Sequence, residues 1–242
     1  MEERVIGILG GMGPEATADL FKRIVRATPA EKDQDHIRVI IDSNPKIPDR
    51  TAAIIGGGPS PLPEMTKTAK NLEKAGVDLI IIPCNTAHYY YEKLKRSVGI
   101  PILNMVELTT QTIKGRFPHV KKVGLIGTTG TVRAGIYNRA LEKSGVELIY
   151  PPEKLKDNVM EAIYGNVKAG RILEGKEIIA KVATHLIEEG AEIIICGCTE
   201  VSLVLKSEDI PVPVVDPLQI LAETAVAVSS SKRPNLSVEV SP

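Results

Sequence analysis

The chain has 242 residues, 43% hydrophobic and 25% charged, enough for one large α/β domain or two smaller ones of about 100–150 residues each. Thirty Lys and Arg balance thirty Asp and Glu, so no overall field draws the protein toward nucleic acid or an anionic membrane. Trp is absent and Phe occurs twice, which leaves few surfaces for stacking bases, and neither a nucleic-acid partner nor a membrane partner is expected.

Met1-Glu2-Glu3-Arg4 lacks the basic start and long apolar stretch of a signal peptide. No apolar run approaches the roughly 20 residues that span a bilayer. Three cysteines, a Cys196-x-Cys198 pair and a distant Cys84, do not form the pattern of a secreted disulfide scaffold. A reducing cytoplasm is the expected location.

Apolar runs predict strands at 5–9, 37–42, 79–83, 101–104, 123–126, 147–150, 192–196 and 213–215. Amphipathic stretches predict helices at 14–27, 63–75, 87–97, 106–116, 132–144 and 174–188. Several stop at a glycine, as at Gly76, Gly145 and Gly190, where the chain leaves a helix most easily in a left-handed conformation. Continuously apolar strands suit parallel sheets covered on both faces, so the class is doubly wound α/β.

An internal repeat refines this. Residues 75–86, containing Pro83-Cys84-Asn85-Thr86, align with 189–200, containing Gly197-Cys198-Thr199-Glu200, at an offset of 114. Upstream, 7–13 matches 124–130 at an offset of 117, and downstream, 100–104 matches 212–216 at 112. Three blocks in one order at nearly constant spacing imply two similar parallel-sheet domains related by a pseudo-twofold axis. The expected division is 1–105 plus 217–229, a final helix that returns to it, for the first half and 106–216 for the second, with 230–242 a disordered tail.

Open parallel sheets bind ligands beyond the carboxyl ends of their strands, and the repeat puts a cysteine there twice. A cysteine at a strand end is ordinarily a small buried apolar residue. Two at matching positions, each followed by polar residues that enter a helix, point instead to chemistry. If the halves face each other, Cys84 and Cys198 meet across one cleft, one removing a proton from carbon and the other returning one to the opposite face. A thiol with a reference pKa of about 8.5 suits both roles, and helix N-terminal amides are expected to favour the thiolate. The turns Gly10-Gly11-Met12-Gly13 and Gly127-Thr128-Thr129-Gly130 are expected to hold anions.

Pro83-Cys84-Asn85-Thr86-Ala87-His88, Gly197-Cys198-Thr199-Glu200, the opening 10–17 segment and Ile47-Pro48-Asp49-Arg50-Thr51 together resemble the aspartate/glutamate racemase family, most closely its aspartate racemase branch. The resemblance runs from about residue 4 to 228. Glutamate racemases of cell-wall synthesis carry His after the second Cys-Thr, where this chain has Glu200. The resemblance implies a racemase of an acidic amino acid without pyridoxal or other cofactor, working as a homodimer, with Cys84 and Cys198 as the two acid/base catalysts. It implies that Arg50 and Lys168 hold the side-chain carboxylate, a placement that also suits an enolate-like transition state. It further implies substrate contacts from Met12, Thr51, Asn85, Thr86, Thr128 and Thr199.

Other features read more plainly. Cys196 aligns with Ile82 and belongs to the core. Cys84 and His88 share a helical spacing, but Cys-x-Cys is not a zinc knuckle, and no metal is expected. The glycine turn lacks a P-loop lysine, so no nucleotide is expected. Two other functions fit the same pattern: an isomerase or decarboxylase of maleate-like acids, and a non-catalytic module that binds a small acid.

Overall fold

The computed structural model describes residues 4–230, and the last twelve of the thirteen tail residues at 230–242 lie outside them. In the first part of the chain β1 (Ile6–Gly10), α1 (Pro14–Ala27), β2 (Val39–Ser43), α2 (Arg50–Ile55), α3 (Leu62–Lys74), β3 (Leu79–Ile81) and α4 (Tyr91–Lys95) follow in order. Next come α5 (Met105–Arg116), β4 (Lys122–Ile126), α6 (Thr129–Ala134), α7 (Ile136–Leu141), β5 (Glu147–Ile149) and α8 (Glu153–Met160). The chain continues through α9 (Ile172–Glu188), β6 (Ile193–Cys196), α10 (Thr199–Val204), β7 (Val214–Val215) and α11 (Pro217–Ser230).

The strands form two parallel sheets, β2-β1-β3 and β5-β4-β6-β7. Ile6 lies opposite Val39 and Leu79 in the first, and Val123 opposite Leu148 and Ile193 in the second. A parallel bridge from Ile80 to Ile102 occupies the place in the first sheet that β7 holds in the second. The strand order is therefore the same twice, which makes the sequence repeat a repeat of structure. The inner strands β1, β3, β4 and β6 are buried between helical layers while the edge strands β2 and β5 are partly exposed, and α11 packs Leu218, Leu221, Ala222 and Ala225 against Ile6, Ile8, Leu20 and Ile24 of the first sheet and its helix α1. No helix among the described residues is long and apolar enough to cross a membrane.

Three expected elements differ. The strand at 101–104 shrinks to its bridge, because Pro101 has no N–H and offers the ladder only its carbonyl, to Ile80. The helix at 132–144 is divided into α6 and α7 by Gly135, which takes the left-handed φ of +59°. The helix at 87–97 begins as a tight 3₁₀ turn, Thr86–Tyr90, before α4. Helices α2 and α8 had no counterpart in the expected elements, being only six and eight residues long.

Candidate active site

The carboxyl ends of β3 and β6 face one narrow cleft. It is lined by Met12, Asp49, Arg50, Thr51, Cys84, Asn85, Thr86, Thr128, Tyr164, Lys168, Cys198, Thr199 and Glu200. All ten residues singled out from the sequence are among them. Asp49, Tyr164 and Glu200 are additional, and all three are ionisable.

Each thiol sits just past its strand. Cys84 follows Ile82 and Pro83, and its N–H closes a tight turn onto the Ile82 carbonyl at 2.8 Å. Cys198 follows Gly197, whose N–H turns back in the same way onto Ile195 at 2.9 Å. Backbones from the two sheets come close around them. Gly11, at φ +90°, passes so near Asn44 that a Cβ would lie 2.3 Å from its carbonyl carbon. Gly130 lies so close to Thr51 that a Cβ would stand 2.7 Å from its Cα, and here the second sheet's turn seats on the first sheet's α2.

A hydroxyl cluster joins the halves at this seam. The Thr51 hydroxyl donates to Thr128 Oγ1 at 3.1 Å, and Thr86 Oγ1 lies 3.2 Å from Thr128 Oγ1 and 2.8 Å from Thr131 Oγ1. Beside it Tyr137 of α7 donates its phenol to Asn85 Oδ1 at 2.5 Å. That fixes the Asn85 amide, and its buried Nδ2 is left without a protein acceptor. An orphaned donor on a cleft wall is costly unless a ligand supplies the acceptor.

Two cations enter from different elements. Asp49 caps α2 by accepting from Ala52 N at 2.7 Å, and this starts the helix at Arg50. The Arg50 guanidinium donates to the carbonyls of Pro48 at 3.0 Å and Met12 at 3.3 Å. Burial opposes its charge, but the facing Cys84 sulfur and Asp49 carboxylate outweigh that and raise its pKa. Lys168 follows a π-helical turn, Glu161–Asn166, and its ammonium donates to Glu200 Oε1. It also lies over the Tyr164 ring, 5.6 Å from the centroid. Burial again opposes the charge, but the Glu200 carboxylate, ahead of the cysteine sulfurs, outweighs it and raises the pKa. Tyr164 donates its phenol to Asp49 Oδ2 at 2.9 Å, linking the π-helical turn to the cap of α2.

One expectation is reversed. Helix amides were to favour thiolates, yet the Cys198 thiol donates to Glu200 Oε2 at 2.8 Å. Burial first, and the Glu200 carboxylate second, push its pKa well up, with Lys168 opposing. Helix α10 is too short, at six residues, to outweigh a buried carboxylate. His88 is bound at both nitrogens: Nδ1 lies 2.8 Å from the Cys84 carbonyl, and Nε2 accepts the Met105 N–H at 3.1 Å. Since Nε2 is the acceptor, the ring proton sits on Nδ1, and burial lowers the His88 pKa to about 4.

The profile of Asp/Glu/hydantoin racemases matches residues 9–225. This chain belongs to that family. It is 31% identical over 235 residues to the broad-specificity amino-acid racemase RacX of Bacillus subtilis (strain 168), covering 92% of this chain and 97% of that one. Among solved structures it is similar to the Picrophilus torridus aspartate racemase, with a TM-score of 0.85, 32% identity and 96% of each chain covered. It is also similar to an aspartate racemase homologue from Pyrococcus horikoshii OT3, with a TM-score of 0.76, 27% identity and coverage of 95% of this chain and 100% of that one. The racemase fold accounts for the twice-used strand order and for the shared cleft between its copies.

Of the three added lining residues, Asp49 stood inside the quoted Asp-Arg-Thr segment, where an Asp before a helix start reads as a cap. Glu200 was visible only as a departure from the glutamate racemase pattern. Tyr164 carried no sequence signal, because a π-helical turn decides where it points.

Proposed function

We propose that the protein is a cofactor-independent amino-acid racemase that interconverts L- and D-aspartate with Cys84 and Cys198 as its acid and base. The observation that carries this reading is the cleft itself, where two thiols from equivalent strand ends share one space with Arg50 and Lys168. One thiolate takes the α-hydrogen as a proton and becomes a thiol. The electron pair left on the α-carbon spreads into the substrate carboxylate, and the second thiol delivers its proton to the opposite face, ending as a thiolate. Asn85 Nδ2 and the threonine hydroxyls supply donors for the α-carboxylate, and Arg50 and Lys168 supply charge for the distal one. The two sheets with their helices act as the two catalytic halves.

A broader acceptor range is the second reading, and one observation favours it. The carboxylates of Asp49 and Glu200 line the same cleft as the two cations, so the distal region is not uniformly positive. Glutamate and other amino acids are then substrates as well. Incubating the pure protein with single enantiomers in D₂O, without pyridoxal phosphate, tests both readings. Aspartate is expected to gain α-deuterium and its mirror form, and chiral chromatography across the common amino acids ranks the rest. No exchange with any amino acid overturns the racemase assignment.

A further inference from the structure

Glu200 has no counterpart in the other half. At the repeat-equivalent position, two residues after the thiol, the first half carries Thr86, whose hydroxyl joins the seam cluster. Glu200 is 5% exposed, and both of its oxygens are engaged. Oε2 accepts from the Cys198 thiol at 2.8 Å and from the Thr199 hydroxyl at 3.3 Å, and Oε1 accepts from the Lys168 ammonium. The sulfur can make this bond only while it carries its hydrogen. Facing Cys198 are therefore one carboxylate, one ammonium and the phenol of Tyr164, which is itself committed to Asp49. Cys84 shares the cleft with the Arg50 guanidinium and the Lys168 ammonium, and its charge favours both cations.

We propose that Glu200 keeps the resting proton on Cys198, so that in the free enzyme Cys198 is set as the acid and the role of base falls to Cys84, poised for the enantiomer whose α-hydrogen faces Cys84. This rests on the racemase reading and adds a direction to it. In that direction the Cys84 thiolate takes the α-proton and Cys198 releases its own to the opposite face. The product state then holds a Cys198 thiolate beside the Glu200 carboxylate, two anions at hydrogen-bonding distance, with Lys168 as the cation that touches them. A proton must return from Cys84 to Cys198 before the next turnover of the same kind, and Glu200 drives that return. Glu200 is thus a positioning residue for the proton and does not itself touch the substrate carbon.

The two cysteines are equally exposed as residues, at 7% each, so a large difference in reactivity is read as a difference in ionisation. The test is limited alkylation of the intact protein with iodoacetamide, with each cysteine-containing peptide quantified by mass spectrometry from pH 6 to 9. Cys84 is expected to react at least about 10-fold faster than Cys198 near neutrality, with buried Cys196 as the inert control. Glu200→Gln, which keeps the side chain's shape and removes its charge, is expected to raise the Cys198 rate about 10-fold and leave that of Cys84 within about 2-fold. Equal rates in the unmodified protein overturn the proposal, and this comparison needs no variant to fold. An unchanged Cys198 rate in a folded Glu200→Gln protein overturns it too. Alkylation requires no turnover, so unequal labelling without deuterium exchange would remove the racemase reading alone, and exchange with equal labelling would remove only the role of Glu200.

Discussion

The half that carries Cys84 and the half that carries Cys198 repeat one strand order, yet they support their thiols in different ways. Cys84 shares its cleft with a guanidinium and has an imidazole under its carbonyl. Cys198 has a carboxylate on its sulfur, and the position equivalent to His88 is Ser202. Even the cations enter differently, although each follows the second strand of its half. Arg50 opens a capped helix seven residues after β2, and Lys168 lies nineteen residues after β5, beyond a helix and a π-helical turn. The duplication is strict where a reaction with two mirror-image directions needs equivalence, at the strand ends. It is relaxed in everything that sets charge.

The largest effects should fall on the symmetric part. Cys84→Ser and Cys198→Ser are each expected to lower kcat by about 10³-fold or more in both directions, within the range of losing a general acid or base, while circular dichroism is unchanged. A single variant that kept near-full activity would break the equivalence of the two thiols.

The cations come next. Arg50→Lys should lower kcat/KM by about 10–100-fold, because an ammonium cannot hold the Pro48 and Met12 carbonyls and still face the cleft, and a charge-assisted bond is worth about 1.5–3 kcal/mol. Steady-state kinetics of the variant check this, and a change below 2-fold would mean that the cleft reads only charge and not the forked geometry.

A separate effect, on stability and not on catalysis, belongs to His88 on the Cys84 side. Folded His88 stays neutral down to about pH 4, whereas in the unfolded chain it takes up a proton near the ordinary histidine value of 6.5. Between those values the unfolded state binds more protons, so stability is full above about 6.5, falls as pH drops to about 4, and is level below. The shift corresponds to roughly 3 kcal/mol. Urea unfolding at pH 7.5, 5.5 and 4 measures it, and His88→Asn should flatten that part of the curve. An equally steep curve in the variant would assign the loss to other groups.

These contrasts also mark what the residues revealed in advance. The strands and their order were legible because parallel strands buried on both faces must be continuously apolar, as 79–82 and 193–196 are. The thiols were legible because duplication fixes their offset. Arg50 and Lys168 came through resemblance, since one charged residue in a loop looks like any other. The Asp49–Tyr164 link and the Lys168–Glu200 pair were not legible, because they depend on contacts between residues 115 and 32 positions apart. Short elements escaped for a related reason: six residues of α2 carry too few turns to show a period, and Asp49 is the one local signal that it begins.

The last helix has a consequence for how the protein is made. Leu218, Leu221 and Ala225 of α11 complete the core around Ile6, Ile8 and Leu20, and Arg23 ties α1 to Asp216 at 2.6 Å, just ahead of α11. The sheet that leaves the ribosome first therefore waits for a helix that lies beyond the whole second sheet before its greasy outer face is shielded.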